Sequence, residues 1–386
     1  MKLKIFCIFL LCFAASVSLN DTLNPLALYG AIPLAFILSF KENNCFKNNR
    51  YIKLLSLLFL WIAFTYLGAT YMAEANNQMK NILGVFVFSV TLANLSNDKR
   101  CLPWLYVVYL ILFIQAIVYA QNHIMIEGFD TSTDRLNDEK LNANTVAYYT
   151  FFITFALYEL GNKYLIANKI LIKVFRILFL SMYFVSFMVA IFTASRQVLL
   201  IQLPLLALLT YMRYINGASV KRKVIFVFVV ISVFVASSSM IENIYDNSFL
   251  KVRAEKEVKD DARSLLIQDA IKVGTEHPIV GVGPGNYVRY SYSAHFSHCT
   301  YTELFANTGV LGVLIYICIL GTFVCVQYKR YRLCRDKTYM VFLICGLIYV
   351  FDNFFYVFYI DLWLIGFFML LASHSEQYYK FQRKIR

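Results

Sequence analysis

The polar stretch GVGPGNYVRYSYSAHFSHCTYTE, residues 281–303, stands inside an otherwise apolar chain and carries the residue types best suited to chemistry. His298 lies just ahead of Thr300-Tyr301-Thr302-Glu303, which fits a capping box with Thr300 as N-cap and Glu303 reaching back to its amide. A helix N-terminus disfavours a cationic imidazole, so a neutral His298 can take a proton there as general base. His295, shortly before it, is the second choice. Glu303 reads equally as a helix cap or as an acid–base group. Gly281, Gly283 and Gly285, with Pro284 between, make a tight turn that brings the backbone close to a neighbour. The turn does not follow a strand and open a helix, so it is not a dinucleotide site. A Cys299–His298 nucleophile pair is disfavoured, because sequence neighbours rarely aim at one point.

Two arginines complement the histidine. Arg196, in Thr193-Ala194-Ser195-Arg196-Gln197, is a charge in a short turn between long apolar runs. It either snorkels to lipid head groups or clamps an anion, since guanidinium binds phosphate bidentately and stays charged. Arg263 falls in the first turn of DDARSLLIQDAIKV, residues 260–273, where Leu265, Leu266, Ala270 and Val273 share one face and Gly274 and Pro278 end the helix. That helix either lies on the membrane surface and offers Arg263 to an anionic head group, or packs as a lid. Together, Arg196, Arg263 and His298 supply two permanent cations for a diphosphate and one base for a hydroxyl. No acidic triad with metal-ligand spacing accompanies them, so the expected reaction is metal-independent and needs no cofactor.

The elements that must position these residues are membrane helices. The 386-residue chain is 60% hydrophobic and 15% charged, well beyond the ~45–50% apolar content of soluble domains. Apolar runs of spanning length fall near residues 3–19, 26–40, 53–72, 81–96, 102–120, 143–160, 170–193, 198–212, 223–238, 305–326, 338–357 and 361–374. The expected fold is all-α: a single polytopic transmembrane domain over residues 1–386, with about twelve transmembrane helices and one large extracytoplasmic loop at 239–304. The first run reads either as a retained helix or as a signal peptide cut near Ala15. A smaller acid-rich segment covers residues 121–142.

Charge sets the orientation. The side holding the N-terminus takes 25 of the 36 basic residues and only 5 of the 23 acids, so both termini are expected in the cytoplasm and residues 239–304 outside it. The net charge of +13 is thereby a topology signal. It is split among short loops and forms no continuous patch, which excludes nucleic acid as a partner. Of the cysteines only Cys299 is placed on the outer side, which leaves no intramolecular disulfide there, and no spacing suggests zinc.

Three features resemble the O-antigen ligase and polymerase superfamily of bacterial envelope glycosyltransferases over residues 190–315. They are the Ser-Arg turn, the arginine-bearing helix leading into HPIVGVGPGNY, and SHCTYTELFANTGVLG. The resemblance implies transfer of a glycan from undecaprenyl diphosphate at the outer face of the bacterial cytoplasmic (inner) membrane. It implies Arg196 and Arg263 as the diphosphate-binding arginines, His298 as the base, and Gly281, Gly283 and Gly285 as the glycine turn. The partners implied are an undecaprenyl-diphosphate-linked oligosaccharide, membrane lipids and a chain-length regulator. Many ligases carry His-Asn where this chain has His298-Cys299, and the continuation resembles polymerases more. The first expectation is a surface-polysaccharide polymerase that adds the glycan to a sugar hydroxyl of another lipid-linked repeat unit. The close alternative is an O-antigen ligase with lipid A-core as acceptor. A flippase or transporter is the alternative from another class, although no repeated half is visible and the expected helix centres are almost free of charge.

Overall fold

The computed structural model describes residues 2–40, 49–126, 143–195, 197–221, 223–228, 242, 245–247, 251, 262–292 and 294–385. In chain order its helices are α1 (Lys2–Ser16), α2 (Asn24–Phe40), α3 (Arg50–Tyr66), α4 (Met72–Ser96), α5 (Leu102–Ile126), α6 (Ala143–Leu160), α7 (Lys169–Thr193), α8 (Val198–Ile215), α9 (Ala262–Glu276), α10 (Tyr287–Tyr290), α11 (Thr300–Cys334), α12 (Lys337–Asp352) and α13 (Leu362–Ile385). Among the described residues there is no strand. A helix satisfies its own backbone, which lipid cannot do.

Five helices among the described residues, α4, α5, α7, α8 and α11, are long and apolar enough to cross a membrane. The sequence suggested about twelve, and several other expected spans coincide with shorter helices among the described residues. With 15, 17 and 16 residues, α1, α3 and α12 reach only ~22–26 Å at 1.5 Å per residue, against a hydrocarbon core of ~30 Å. The apolar run of α13 stops at Ala372, and the buried polar residues Ser373, His374 and Ser375 follow. The span expected at 223–238 lies largely outside the described residues, as do most of segment 121–142 and the first part of loop 239–304.

The chain forms two compact units. The first comprises residues 1–14, 22–105 and 258–386. Within it α11 packs on α3, α9 and α12, while α4 packs on α2, α3 and α13. Asn49 opens α3, its side-chain oxygen accepting from the amides of Tyr51 at 3.0 Å and Ile52 at 3.4 Å. Asp336 opens α12 by accepting from the Thr338 amide at 2.9 Å, and its second oxygen accepts from the Tyr378 hydroxyl of α13 at 2.7 Å. An ion pair of 2.7 Å between buried Arg330 and half-buried Glu376 ties α11 to α13.

The second unit comprises residues 15–21 and 106–257. Its described core is α6 on α7 and α7 on α8. Pro204 has no amide to give inside α8, and the helix runs in wide π-type turns at Val198–Gln202 and Tyr211–Ile215. The Gln202 side chain fastens α8 to α6 by donating to the Thr150 carbonyl at 3.1 Å and to the Thr154 hydroxyl. The Arg213 guanidinium lies 4.0 Å from the Tyr158 ring centroid and donates to the Tyr158 carbonyl and to Asn162 Oδ1.

Candidate active site

The site in the first unit is built on a break in α11. Gly309 has φ 70 and ψ −173, a region open to glycine alone. The break releases the Ala306 and Asn307 carbonyls and the Val310 amide from their helical partners, and a buried backbone group must be paired elsewhere. The segment before α10 supplies all three partners. The Val282 amide donates to the Ala306 carbonyl, the Gly283 amide to the Asn307 carbonyl and the Val310 amide to the Pro278 carbonyl, each at 2.9 Å. A Cβ on Gly281, at φ 67, would strike the backbone of Asn307 and Thr308.

The neighbour to which the glycine turn comes close is therefore the chain itself. Gly283 lies against Ala69, and Gly285 against Glu74 and Gln78 of α4. Asn286, fully buried, locks the turn to the start of α4. Its Oδ1 accepts from the Tyr71 amide at 2.7 Å, and its Nδ2 donates to the Tyr71 carbonyl at 3.1 Å. On the outer edge Arg289 of α10 pairs with Glu74 at 2.5 Å.

His298 sits just before α11, half-buried and with φ 56. Left-handed backbone costs a side-chain-bearing residue ~1–2 kcal/mol. The residues on either side impose it, and both are buried. The Ser297 amide donates to Glu303 Oε2 at 2.7 Å. The Ser297 hydroxyl donates to the Cys299 carbonyl at 2.9 Å and accepts from the Cys299 amide at 3.3 Å. The capping box does not form as the sequence suggested. Cys299 is the N-cap residue and has no side-chain cap bond. The Thr300 amide donates to the Asn353 carbonyl at 2.8 Å, and the Thr300 hydroxyl bridges the Tyr356 carbonyl and the Phe358 amide. Glu303 reaches past the helix start to Ser297, because Thr300 is engaged by the chain that follows α12.

Glu303 is 1% exposed and Asn307 fully buried. Asn307 Nδ2 donates to Glu303 Oε1 at 3.2 Å, and Asn307 Oδ1 accepts from the Tyr287 amide at 3.0 Å. Tyr287 closes the cluster formed with Ala270, Val273, Val282 and Ala306. Burial pushes its phenol pKa up, so it stays a neutral donor, and its hydroxyl donates to the Leu266 carbonyl at 3.0 Å.

The remaining residues singled out from the sequence fall in different places. His295 is exposed in the loop ahead of His298, beside exposed Tyr292 and Phe296. Arg263 is on the first turn of α9 and half-buried. Arg196 lies outside the described residues; α7 before it ends on left-handed Ala194. The face proposed for α9 needs correction at Leu265, which is 67% exposed, whereas Ala270 and Val273 are buried. Gly274 does not end α9, which continues to Glu276. A Cβ at Gly274 would meet the Phe305 ring, so this glycine lets α9 close on α11. Asn286, Asn307 and Gly309 carry the geometry and escaped the sequence reading. Asn286 had one visible signal, its place directly after the glycine turn.

A helical membrane protein with a buried polar network beneath one strained histidine is the class that this fold and site define. The family model for O-antigen ligase matches residues 181–317. This match, over about a third of the chain, supports the resemblance to the O-antigen ligase/polymerase superfamily across that stretch. The matched stretch contains Arg196, Arg263, the glycine turn and His298. No curated protein matches the chain.

Proposed function

We propose that the protein is a surface-polysaccharide polymerase of the cytoplasmic membrane, acting on the outer side. The observation that carries this reading is His298 itself. A non-glycine residue is held left-handed, half-exposed, on a turn whose two flanking residues are buried and bonded. Strain of this kind clusters at functional sites.

In the proposed reaction a sugar hydroxyl attacks the anomeric carbon of the donor glycan. The new C–O bond forms as the bond to the diphosphate breaks. His298 takes the hydroxyl proton as general base. Arg263 is assigned to the departing diphosphate by its charge and its place on α9, and Arg196 by the sequence alone; undecaprenyl diphosphate leaves with the electron pair. The acceptor is a second lipid-linked repeat unit.

The ligase reading, with lipid A-core as acceptor, is favoured by the description of the matched family. Surface glycans from a deletion strain separate the two. Products of a single repeat fit a polymerase, whereas free lipid-linked polymer beside bare lipid A-core fits a ligase. For either, His298→Ala abolishes transfer while the protein still inserts. Wild-type product from that variant would sink the base assignment.

A further inference from the structure

We infer that Glu303 and Asn307 act as one positioning pair for His298, an inference that rests on the reading of His298 as the base. A continuous line of hydrogen bonds runs from the backbone of α10 to the residue before the histidine. Tyr287 donates its amide to Asn307 Oδ1 (3.0 Å), Asn307 Nδ2 donates to Glu303 Oε1 (3.2 Å), and Glu303 Oε2 accepts from the Ser297 amide (2.7 Å). Asn307 Nδ2 also lies 3.4 Å from the Tyr359 hydroxyl. Ser297, Glu303 and Asn307 are all buried.

The direction of donation is fixed along this line. The Ser297 and Tyr287 amides can only donate, so the two side chains between them must present an oxygen at each end. They must then meet as one donor and one acceptor. A carboxylate followed by a carboxamide satisfies this, and so does a carboxamide followed by a carboxylate. Two carboxamides do not, whichever way the groups are turned, and two carboxyl groups do so only while they share a proton. The glycine turn precedes α10 and is bonded to the backbone at Ala306 and Asn307. Through Asn307 and Glu303 the histidine is referenced to that same rigid turn. Misplacing a catalytic group by about 1 Å costs on the order of 10²-fold in rate.

The test follows from the polarity rule. Full-length protein in proteoliposomes is given undecaprenyl-diphosphate-linked oligosaccharide, and kcat and donor KM are measured for Glu303→Gln, Asn307→Asp and the double substitution. Glu303→Gln is expected to lower kcat by about 10²-fold with KM nearly unchanged, Asn307→Asp to do the same only as pH rises and the proton shared with Glu303 is lost, and the double to recover to within about tenfold of wild type. A purely structural pair would change the melting temperature without changing kcat of the folded fraction. An acid–base role for the carboxylate at 303 would leave the double as slow as the single Glu303→Gln. Either result overturns the inference. Where a single variant does not fold, the double decides. Where neither folds, hydrogen exchange at the Ser297 amide of the wild-type protein decides, with protection expected and free exchange overturning the pair. His298→Ala runs in parallel. If it keeps wild-type kcat, the base assignment itself has failed, whatever the pair variants do.

Discussion

Two stretches beside the candidate site hold left-handed backbone, and they do it with different residues. In the turn from Gly281 to Gly285 the positive φ angles of 67, 96 and 73 all fall on glycine. In the loop that follows, the angles of 54 and 56 fall on Ala294 and His298. Glycine reaches this region at no steric cost, and the first turn needs it because other backbone lies where a Cβ would be. The second stretch carries a side chain at both positions, so its backbone is held there against a steric cost that glycine would not incur. The first turn is shaped by packing, and at His298 the left-handed backbone is held by the bonded, buried residues on either side.

Substitutions can break this contrast, beginning with the largest effect. His298→Ala is expected to cut transfer by at least 10²–10⁴-fold, the usual loss on removing a general base. Its melting temperature should stay near wild type, which a detergent-phase thermal shift measures. Gly281→Ala reverses the pattern. It should destabilise the protein by about 3 kcal/mol, because both the backbone conformation and the space at Asn307 forbid a methyl group. Reduced yield of monodisperse protein is the readout, and wild-type stability would refute the packing role. Asn286→Ala removes both bonds to Tyr71 and should cost about 2 kcal/mol.

The sharpest comparison uses one residue for both turns. His298→Gly should gain about 1 kcal/mol of stability by relieving the left-handed backbone while losing transfer altogether. A glycine at 298 that is no more stable than alanine there, which also lacks the imidazole, would show that no strain is held. As a control, Tyr292→Ala should move stability by less than about 0.5 kcal/mol, because that ring is 99% exposed.

Much of the fold is visible in composition. Apolar length alone places helices close to where they lie, since a spanning backbone has no other way to satisfy itself. The spans shorten where apolarity and helix length part company, as in α13 beyond Ala372. The site is legible in its residue types but not in its connections. His298 and the glycine turn stand out as polar and glycine-bearing in apolar surroundings. Glu303 followed a capping rule that reads only four residues, whereas its partner is set by Thr300 being drawn to the chain after α12. Leu265 lies well round α9 from buried Ala270 and is 67% exposed, so the face read from the sequence is drawn too wide. Asn307 and Gly309 lie within an apolar helix and give no periodic signal, because a single glycine inside a helix is usually tolerated without a break.

The break at Gly309 also orders the events of synthesis. The segment from Pro278 to Gly283 finds its hydrogen-bond partners in residues 306–310, which leave the ribosome later. Until then its backbone groups are left to water and to local bonds such as that from the Gly281 amide to the His277 carbonyl. Docking therefore comes after the head of α11 has formed, and a nascent chain that stalls between the two carries a histidine loop with nothing yet beneath it.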